Sequence, residues 1–333
     1  MAKRVTIVDV AREAGVSVMT VSRAINNKDG ISEATRLRIK AIAEELGYRP
    51  SDIARSLVID RTGTIGLVVM DNSNPFYSEV ARGVEHEAYA RGYNVFLCNT
   101  EEDPEREFTV LRSLEEKRVD GVILCTPRLD EDMLQTALKQ HAAVVMINRR
   151  LPGQKFGSVV LNDERGGQLA TEHLLSRGHK NIGFLAGPKR SSASPRRAKG
   201  YRAALEAAGI TPRPEWEQHC IPMVATAREE ACNLIMRQLE LTAIFCFNDL
   251  CAVGALQACA TLGRRVPDDV AIVGYDDIPL AELVTPALTT CHIPKYEIGS
   301  QAMQLLLNHI NGCEEACEDV VIEPELIIRA SAP

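Results

Sequence analysis

No apolar run in this 333-residue chain is long enough to cross a membrane. Runs such as Ile65–Met70 and Val119–Cys125 fall far short of the ~20 residues that a spanning helix needs. No apolar h-region follows Met1-Ala2-Lys3-Arg4, so no secretory leader is expected and the cytoplasm is the expected compartment. Ten cysteines are present but none stands in a C-x-x-C spacing; the nearest pairs are Cys246/Cys251 and Cys313/Cys317, without clustered histidines. Several, among them Cys98, Cys125 and Cys246, sit inside apolar runs where cysteine acts as a small hydrophobe. Neither a structural metal nor a disulfide framework is expected. Also missing are the phosphate-cradling G-x-x-x-x-G-K-[ST], the dinucleotide G-x-G-x-x-G, the zinc H-E-x-x-H and the nucleophile-elbow G-x-S-x-G. No enzyme and no cofactor are therefore expected.

An overall excess of basic residues is missing too. The chain carries 38 Lys+Arg against 45 Asp+Glu, a net charge of -7, which taken whole argues against nucleic acid. The average hides a split. Residues 1–61 hold 11 basic and 8 acidic side chains, or +3, which leaves 27 basic and 37 acidic, or -10, for the rest. A basic module attached to an acidic body is the reading, and 45% apolar with 25% charged residues makes both parts globular.

The first fifty residues read as three short helices. Thr6 can cap a helix over Ile7–Ala14, which Gly15 ends by supplying a left-handed residue. Ser17 caps a second helix from Val18 to about Ile25. Ser32 opens a third, 33–46, with Leu37, Ala41 and Leu46 on one stripe. Two helices joined by a tight glycine turn are a helix-turn-helix candidate, with Val10, Ala11, Val16, Val21 and Ile25 as its small core. Residues 51–62 read as a linker able to form one or two helical turns, marginal alone and dependent on a partner for order.

From Thr64 onward strands alternate with amphipathic helices. Apolar strand runs stand at 65–70, 94–98, 121–125, 144–147, 158–161, 182–185, 243–247 and 270–274. Such alternation means parallel sheets covered on both faces. The expected class is α/β: an all-α head, residues 1–50, a linker, 51–62, and a two-lobed doubly wound body, 63–333. The lobes divide near Asn162-Asp163, into about 63–162 and 163–290, and the tail crosses back. Ligands in such folds sit beyond the carboxyl ends of the strands.

Combined motifs carry a family resemblance. Thr20-Val21-Ser22-Arg23, Gly47-Tyr48-Arg49-Pro50 and Ala54-Arg55-Ser56-Leu57 stand in the head and linker; Asn74-Pro75-Phe76-Tyr77, Val119-Asp120-Gly121, Asn248-Asp249, Gly274-Tyr275-Asp276-Asp277 and Thr285-Pro286-Ala287-Leu288 stand in the body. Together they resemble the LacI/GalR family of bacterial transcription regulators, nearly end to end. The resemblance implies a homodimer on a pseudo-palindromic double-stranded DNA operator and a small-molecule effector, a sugar or sugar derivative, held between periplasmic-binding-protein-like lobes. Val18, Met19 and Arg23 are the implied base-reading positions, with Arg23 the candidate for a bidentate guanine contact and the other two limited to methyl and shape contact. Met19 has the alternative of packing on the first helix. Thr6, Ser17, Thr20, Ser22 and Asn26 are implied phosphate positioners, Leu57 a minor-groove wedge and Arg55 its neighbour one turn earlier.

For the effector the matching positions are Asn72, Phe76, Tyr77, Asn148, Ser191, Arg197, Asn248, Asp249 and Asp276. Phe76 and Tyr77 would stack on a ring, or pack as core; Asn72 and Asn148 offer amides. Arg197 would fork onto hydroxyls or a carboxylate, and the acids would accept from hydroxyls, unless Asp276 is a satisfied turn carboxylate. Two departures stand out: Met223-Val224-Ala225 where relatives place a cleft aromatic, and Ile293 where glutamine is common. Arg149, Arg150, Lys189 and Arg190 favour an anionic ligand, or are simply solvated. A purine-type effector, a phosphoprotein corepressor and a solute-binding protein without a DNA role are the alternatives, the last lacking a use for the basic head.

Overall fold

The computed structural model describes residues 5–49, 61–152, 156–313 and 319–333; Arg55 and Leu57 lie outside them. The chain forms two compact units, Met1–Thr62 and Gly63–Pro333.

The first unit is built on three capped helices, α1 (Ile7–Ala14), α2 (Val18–Ile25) and α3 (Glu33–Glu45). At the start of α1 the Asp9 carboxylate accepts from both the Thr6 backbone N–H (2.9 Å) and its hydroxyl (2.7 Å). Gly15 follows at φ 64, which lets the chain reverse without a Cβ clash before α2. Ser17 Oγ then accepts from the Thr20 backbone N–H at 3.1 Å, and Ser32 does the same for Thr35 at 3.2 Å. Val10, Ala14, Val21, Ala24, Ile39 and Ala43 close the small core. The stripe expected on α3 is corrected: Leu37 is 60% exposed and Ala41 is also exposed, while Ile39, Ile42, Ala43 and Leu46 turn inward. That set follows the i, i+3, i+4, i+7 rule that the other set only approximates.

The second unit holds two six-stranded sheets. The first contains β1 (Thr64–Val69), β2 (Asn94–Asn99), β3 (Gly121–Cys125), β4 (Val144–Ile147), β5 (Gly157–Leu161) and β11 (Val320–Ile322), in the order β11-β5-β4-β3-β1-β2. The second contains β6 (Ile182–Ala186), β7 (Glu217–His219), β8 (Ala243–Cys246), β9 (Ala271–Asp276), β10 (Thr289–His292) and β12 (Glu325–Ile327), in the order β12-β10-β9-β8-β6-β7. Every pairing is parallel except β10 with β12. The inner strands β3, β4, β5, β6, β8 and β9 are buried throughout, as continuous apolar runs require. The run at 94–98 is not: β2 is an edge strand, and Phe96 and Leu97 lie exposed. β7 and β10, too short and too polar to read as strands, lie outside the expected set.

Helices α4 (Pro75–Ala90), α5 (Pro104–Glu116) and α6 (Glu131–Leu138) connect the first sheet, and α7 (Asp163–Ser176), α8 (Ala193–Ala207), α9 (Val224–Arg237), α10 (Asp249–Thr261) and the short α11 (Leu280–Leu283) serve the second. After β10 the chain returns to the first sheet as α12 (Lys295–Ile310), adds β11 there, and goes back to the second sheet as β12. Among the described residues, therefore, three segments join the lobes: 161–163, 292–295 and 322–325.

Each lobe is stiffened by helices packed at backbone contact. A Cβ placed on Gly83 of α4 would lie 2.0 Å from the Tyr296 carbonyl oxygen, and one on Gly299 of α12 would lie 2.0 Å from that of Val80. In the other lobe, Gly167 of α7 and Gly200 of α8 stand 2.2 Å and 2.0 Å from the Arg197 and Glu164 carbonyl oxygens on the same construction. Both crossings require glycine because nothing larger fits.

Candidate functional site

On the first unit the outer face of α2 presents Val18 at 42% and Met19 at 66% exposure, with Arg23 and Asn26 also exposed and Thr20 and Ser22 half-buried. Met19 is thus displayed rather than packed on α1. Three of the polar side chains are already engaged: Ser17 and Thr20 share a hydroxyl pair at 2.9 Å, and the Asn26 amide donates to the Ser22 carbonyl at 2.9 Å. The Thr6 hydroxyl is spent on Asp9. Arg36, which the sequence did not single out, donates to the carbonyl oxygens of Arg23 (3.4 Å) and Lys28 (3.1 Å) and so fixes the exit of α2.

The second unit has a cleft where the carboxyl ends of strands from both sheets converge. Phe76 and Tyr77 follow β1, Thr126 and Arg128 follow β3, and Asn148 follows β4. From the other sheet come Ser191 after β6, Phe247 and Asn248 after β8, and Asp276 at the end of β9. Arg197 enters from α8. The free space is about 40 Å³, enough for a few waters and well below the several hundred Å³ of a drug-sized pocket. Side chains must therefore yield to admit a ring.

Two expected members are elsewhere. Asn72 is exposed on the β1–α4 loop, where Asn99 Oδ1 accepts from its backbone N–H at 2.9 Å, so it faces solvent and not the cleft. Asp249 is wholly buried behind the cleft wall: its carboxylate accepts from the Thr290 hydroxyl (2.6 Å) and the Ile278 N–H (2.8 Å). Burial, then the charge of Asp276, push its carboxyl up to about 8. It tethers α10 to β9 and β10 and does not line the cavity.

Asp163 organises the back of the cleft. It is fully buried, and it accepts from Arg197 Nε at 2.9 Å, from Arg196 Nη2 at 3.0 Å and from the Asn148 amide at 3.0 Å. Arg196 Nη2 also reaches Asn148 Oδ1 (2.6 Å) and its carbonyl (2.9 Å), and the Ser192 hydroxyl donates to the same carbonyl at 2.7 Å. These bonds join the end of β4 in one lobe to the start of α8 in the other. Arg197 lies between the rings of Phe247 and Tyr275, 4.7 Å and 3.5 Å from their centroids, and donates to the Phe247 carbonyl. Burial opposes its charge, yet Asp163, Tyr275 and Asp276 hold its pKa above the ordinary arginine value. Its fork is thus filled mainly by the protein's own groups, and Nη2 stands 4.0 Å from Asp276 Oδ1.

Asp276 is the open acid of the site. Burial pushes its carboxyl up to about 6 against the pull of Arg197 and Lys295. Its backbone adopts φ 101 and that of Asp277 φ 54, and the buried Lys295 ammonium donates to both carbonyl oxygens, at 2.6 and 2.8 Å. Phe76 and Tyr77 meet edge to face at 5.2 Å, and the Tyr77 and Thr126 hydroxyls pair at 3.0 Å.

Sequence reasoning missed Arg128, Glu102 and Asp163. Arg128 pairs bidentately with Glu102, at 2.5 and 2.9 Å, and both line the cleft. Their common signal was position, since each follows a strand end, but loop acids and bases look alike until the sheet order is known. Met223 is exposed, in keeping with a missing aromatic wall there. Among the described residues no group of three or more His, Cys, Asp or Glu could hold a metal, and no helix is long and apolar enough to cross a membrane.

Known proteins carry the same two parts. Residues 6–51 match the description "Bacterial regulatory proteins, lacI family", and residues 62–330 match "Periplasmic binding proteins and sugar binding domain of LacI family". The chain belongs to the LacI family of bacterial regulators, as DNA-binding transcriptional repressors and not enzymes. Among its relatives is the HTH-type transcriptional repressor PurR of Photobacterium profundum, 39% identical over 98% of both chains. Solved structures include the lac repressor dimer bound to operator and the anti-inducer ONPF (27% identity, TM-score 0.87, 99% of both chains). A second is the transcriptional regulator CelR–cellobiose complex (33% identity, TM-score 0.75, 98% of this chain and 100% of that one).

Proposed function

We propose that this repressor controls a carbohydrate or related catabolic operon from the cytoplasm, as a homodimer on a pseudo-palindromic operator, and that its effector is a sugar or sugar derivative. The observation that carries the effector class is the polar convergence of Asn148, Ser191, Asn248 and Asp276 on one cleft, with Phe76 as apolar floor. Hydroxyls of a pyranose or furanose satisfy donors and acceptors of this kind all round the ring. The CelR relative, solved with cellobiose, supports the same class.

The division of labour follows the three segments 1–50, 51–62 and 63–333. Arg23 reads a base edge and Val18 and Met19 supply shape contact, while Thr6, Ser17, Thr20, Ser22 and Asn26 position the phosphates. Leu57, with Arg55 beside it, wedges the minor groove. Effector shifts the repressor between two states only by its differential affinity for them, typically ~1–3 kcal/mol.

Relatives named PurR favour a second reading, a purine base, for which Phe76, Tyr77 and Phe247 offer ring faces. A thermal-shift panel of sugars, sugar acids, sugar phosphates and purine bases on the intact protein separates the two. Stabilisation by a sugar class that is reduced but not lost in Asp276→Asn is expected; stabilisation by purines alone would replace the sugar reading.

A further inference from the structure

Beside the effector cleft lies a second and much larger cavity, of about 730 Å³, within the range of small-molecule sites. Its walls are the first turns of α5 and α6, the strand-end segments 128–130 and 149, and Arg190 with Ser192 from the other lobe. Two kinds of surface meet in it. Phe108, Leu129 and Met133 form an apolar side, Met133 standing 42% exposed at the rim. Arg149 and Arg190 form a cationic side.

The charges decide what it can hold. Arg128 is already neutralised by its bidentate partner Glu102. Arg149 is half-buried and held rigid, since Nη1 donates to the carbonyl oxygens of Pro127 (3.2 Å) and Leu129 (2.5 Å), neither of which carries a charge. Arg190 is exposed, and among the described residues neither arginine has a carboxylate within ion-pairing distance. Burial lowers the Arg149 pKa against the pull of the more distant Glu107, Glu131 and Asp130. Two acids also line the space. Asp130 is occupied in capping α6, accepting from the Met133 N–H at 2.9 Å, and Glu105 is exposed, so an anion is confined to the arginine side.

We propose that this cavity is a second ligand site for a small organic anion, a carboxylate or phosphate monoester on a single-ring apolar body, with the anion on Arg149 and Arg190 and the ring against Phe108 and Met133. The site is separate from the sugar reading and does not rest on it. Arg128 stands on the wall common to both cavities, so an occupant here bears on the effector cleft.

Titration calorimetry on the intact repressor tests this with phenyl phosphate and phenylacetate as probes, and with inorganic phosphate and benzyl alcohol as the separated halves. Saturable binding of one or both organic anions is expected, with the halves at least tenfold weaker. Arg190→Met and Phe108→Ala should each weaken the probe at least tenfold, and Asp276→Asn should leave it unchanged. Arg190 is exposed, so its variant folds whatever Arg149 does for stability. No saturable binding of either probe overturns the proposal, as does equal binding of inorganic phosphate, or loss of the probe in Asp276→Asn, which would place it in the effector cleft. A preference for phenyl phosphate or for phenylacetate tells which anion the arginines select.

Discussion

Asp163 shows how much of the cleft depends on one residue with no exposure. Two guanidinia and an amide converge on its two oxygens, and the pairs span both lobes. Asp163→Ala should therefore cost about 3–5 kcal/mol, the usual consequence of stranding buried charge, and urea unfolding of the intact protein measures it. Asp276 makes a different prediction, since its carboxyl moves from 3.8 to about 6 on folding. A raised carboxyl binds its proton more readily when folded, so its contribution to stability is full below about pH 4 and fades as pH climbs through 6. The same titration exchanges a carboxylate, the stronger acceptor for a sugar hydroxyl, for a neutral acid. Effector affinity should fall about tenfold between pH 8 and pH 5, and calorimetry should find that slope absent in Asp276→Asn. Residue types at strand ends were readable from sequence, but direction was not: Asn72 and Asp249 have the right chemistry and point away from the cleft.

At the scale of the helix, two local devices lend themselves to measurement. Ser17→Ala removes the acceptor for the Thr20 N–H and should destabilise α2 by about 1 kcal/mol, seen as faster hydrogen exchange of its amides. Gly200→Ala puts a methyl 2.0 Å from the Glu164 carbonyl oxygen, which no rotamer change relieves because both groups are backbone. The helices must part, at a cost of about 1–3 kcal/mol or more, and the melting temperature should drop accordingly. Helices and inner strands could be read from the chain because apolar spacing is strong over eight or more residues. The exposure of the edge strand β2 and the inward stripe of α3 were misjudged, and the short β7 and β10 were missed. Their identity is decided by neighbours that are distant in sequence, and Leu37 and Ile39 are equally apolar until α1 and α2 choose between them.

Over the whole molecule, the charge split separates duties: +3 on residues 1–61 and -10 on the remainder. Operator affinity should fall steeply with salt, by about 10³-fold between 50 and 200 mM if the two heads neutralise six phosphates, as a fluorescence titration would show. Leu57→Ala should weaken operator binding and leave effector affinity as it is.

The glycine crossings of α4 with α12 and of α7 with α8 have a mechanical meaning as well. Helices locked at backbone contact resist sliding, so each lobe is stiff against internal deformation where they cross. Among the described residues the lobes are joined by the three short connectors at 161–163, 292–295 and 322–325, and a turn of one lobe on the other has to be taken up there. The Arg196–Asn148 bonds tie one lobe to the other, so a rotation between the lobes has to break them.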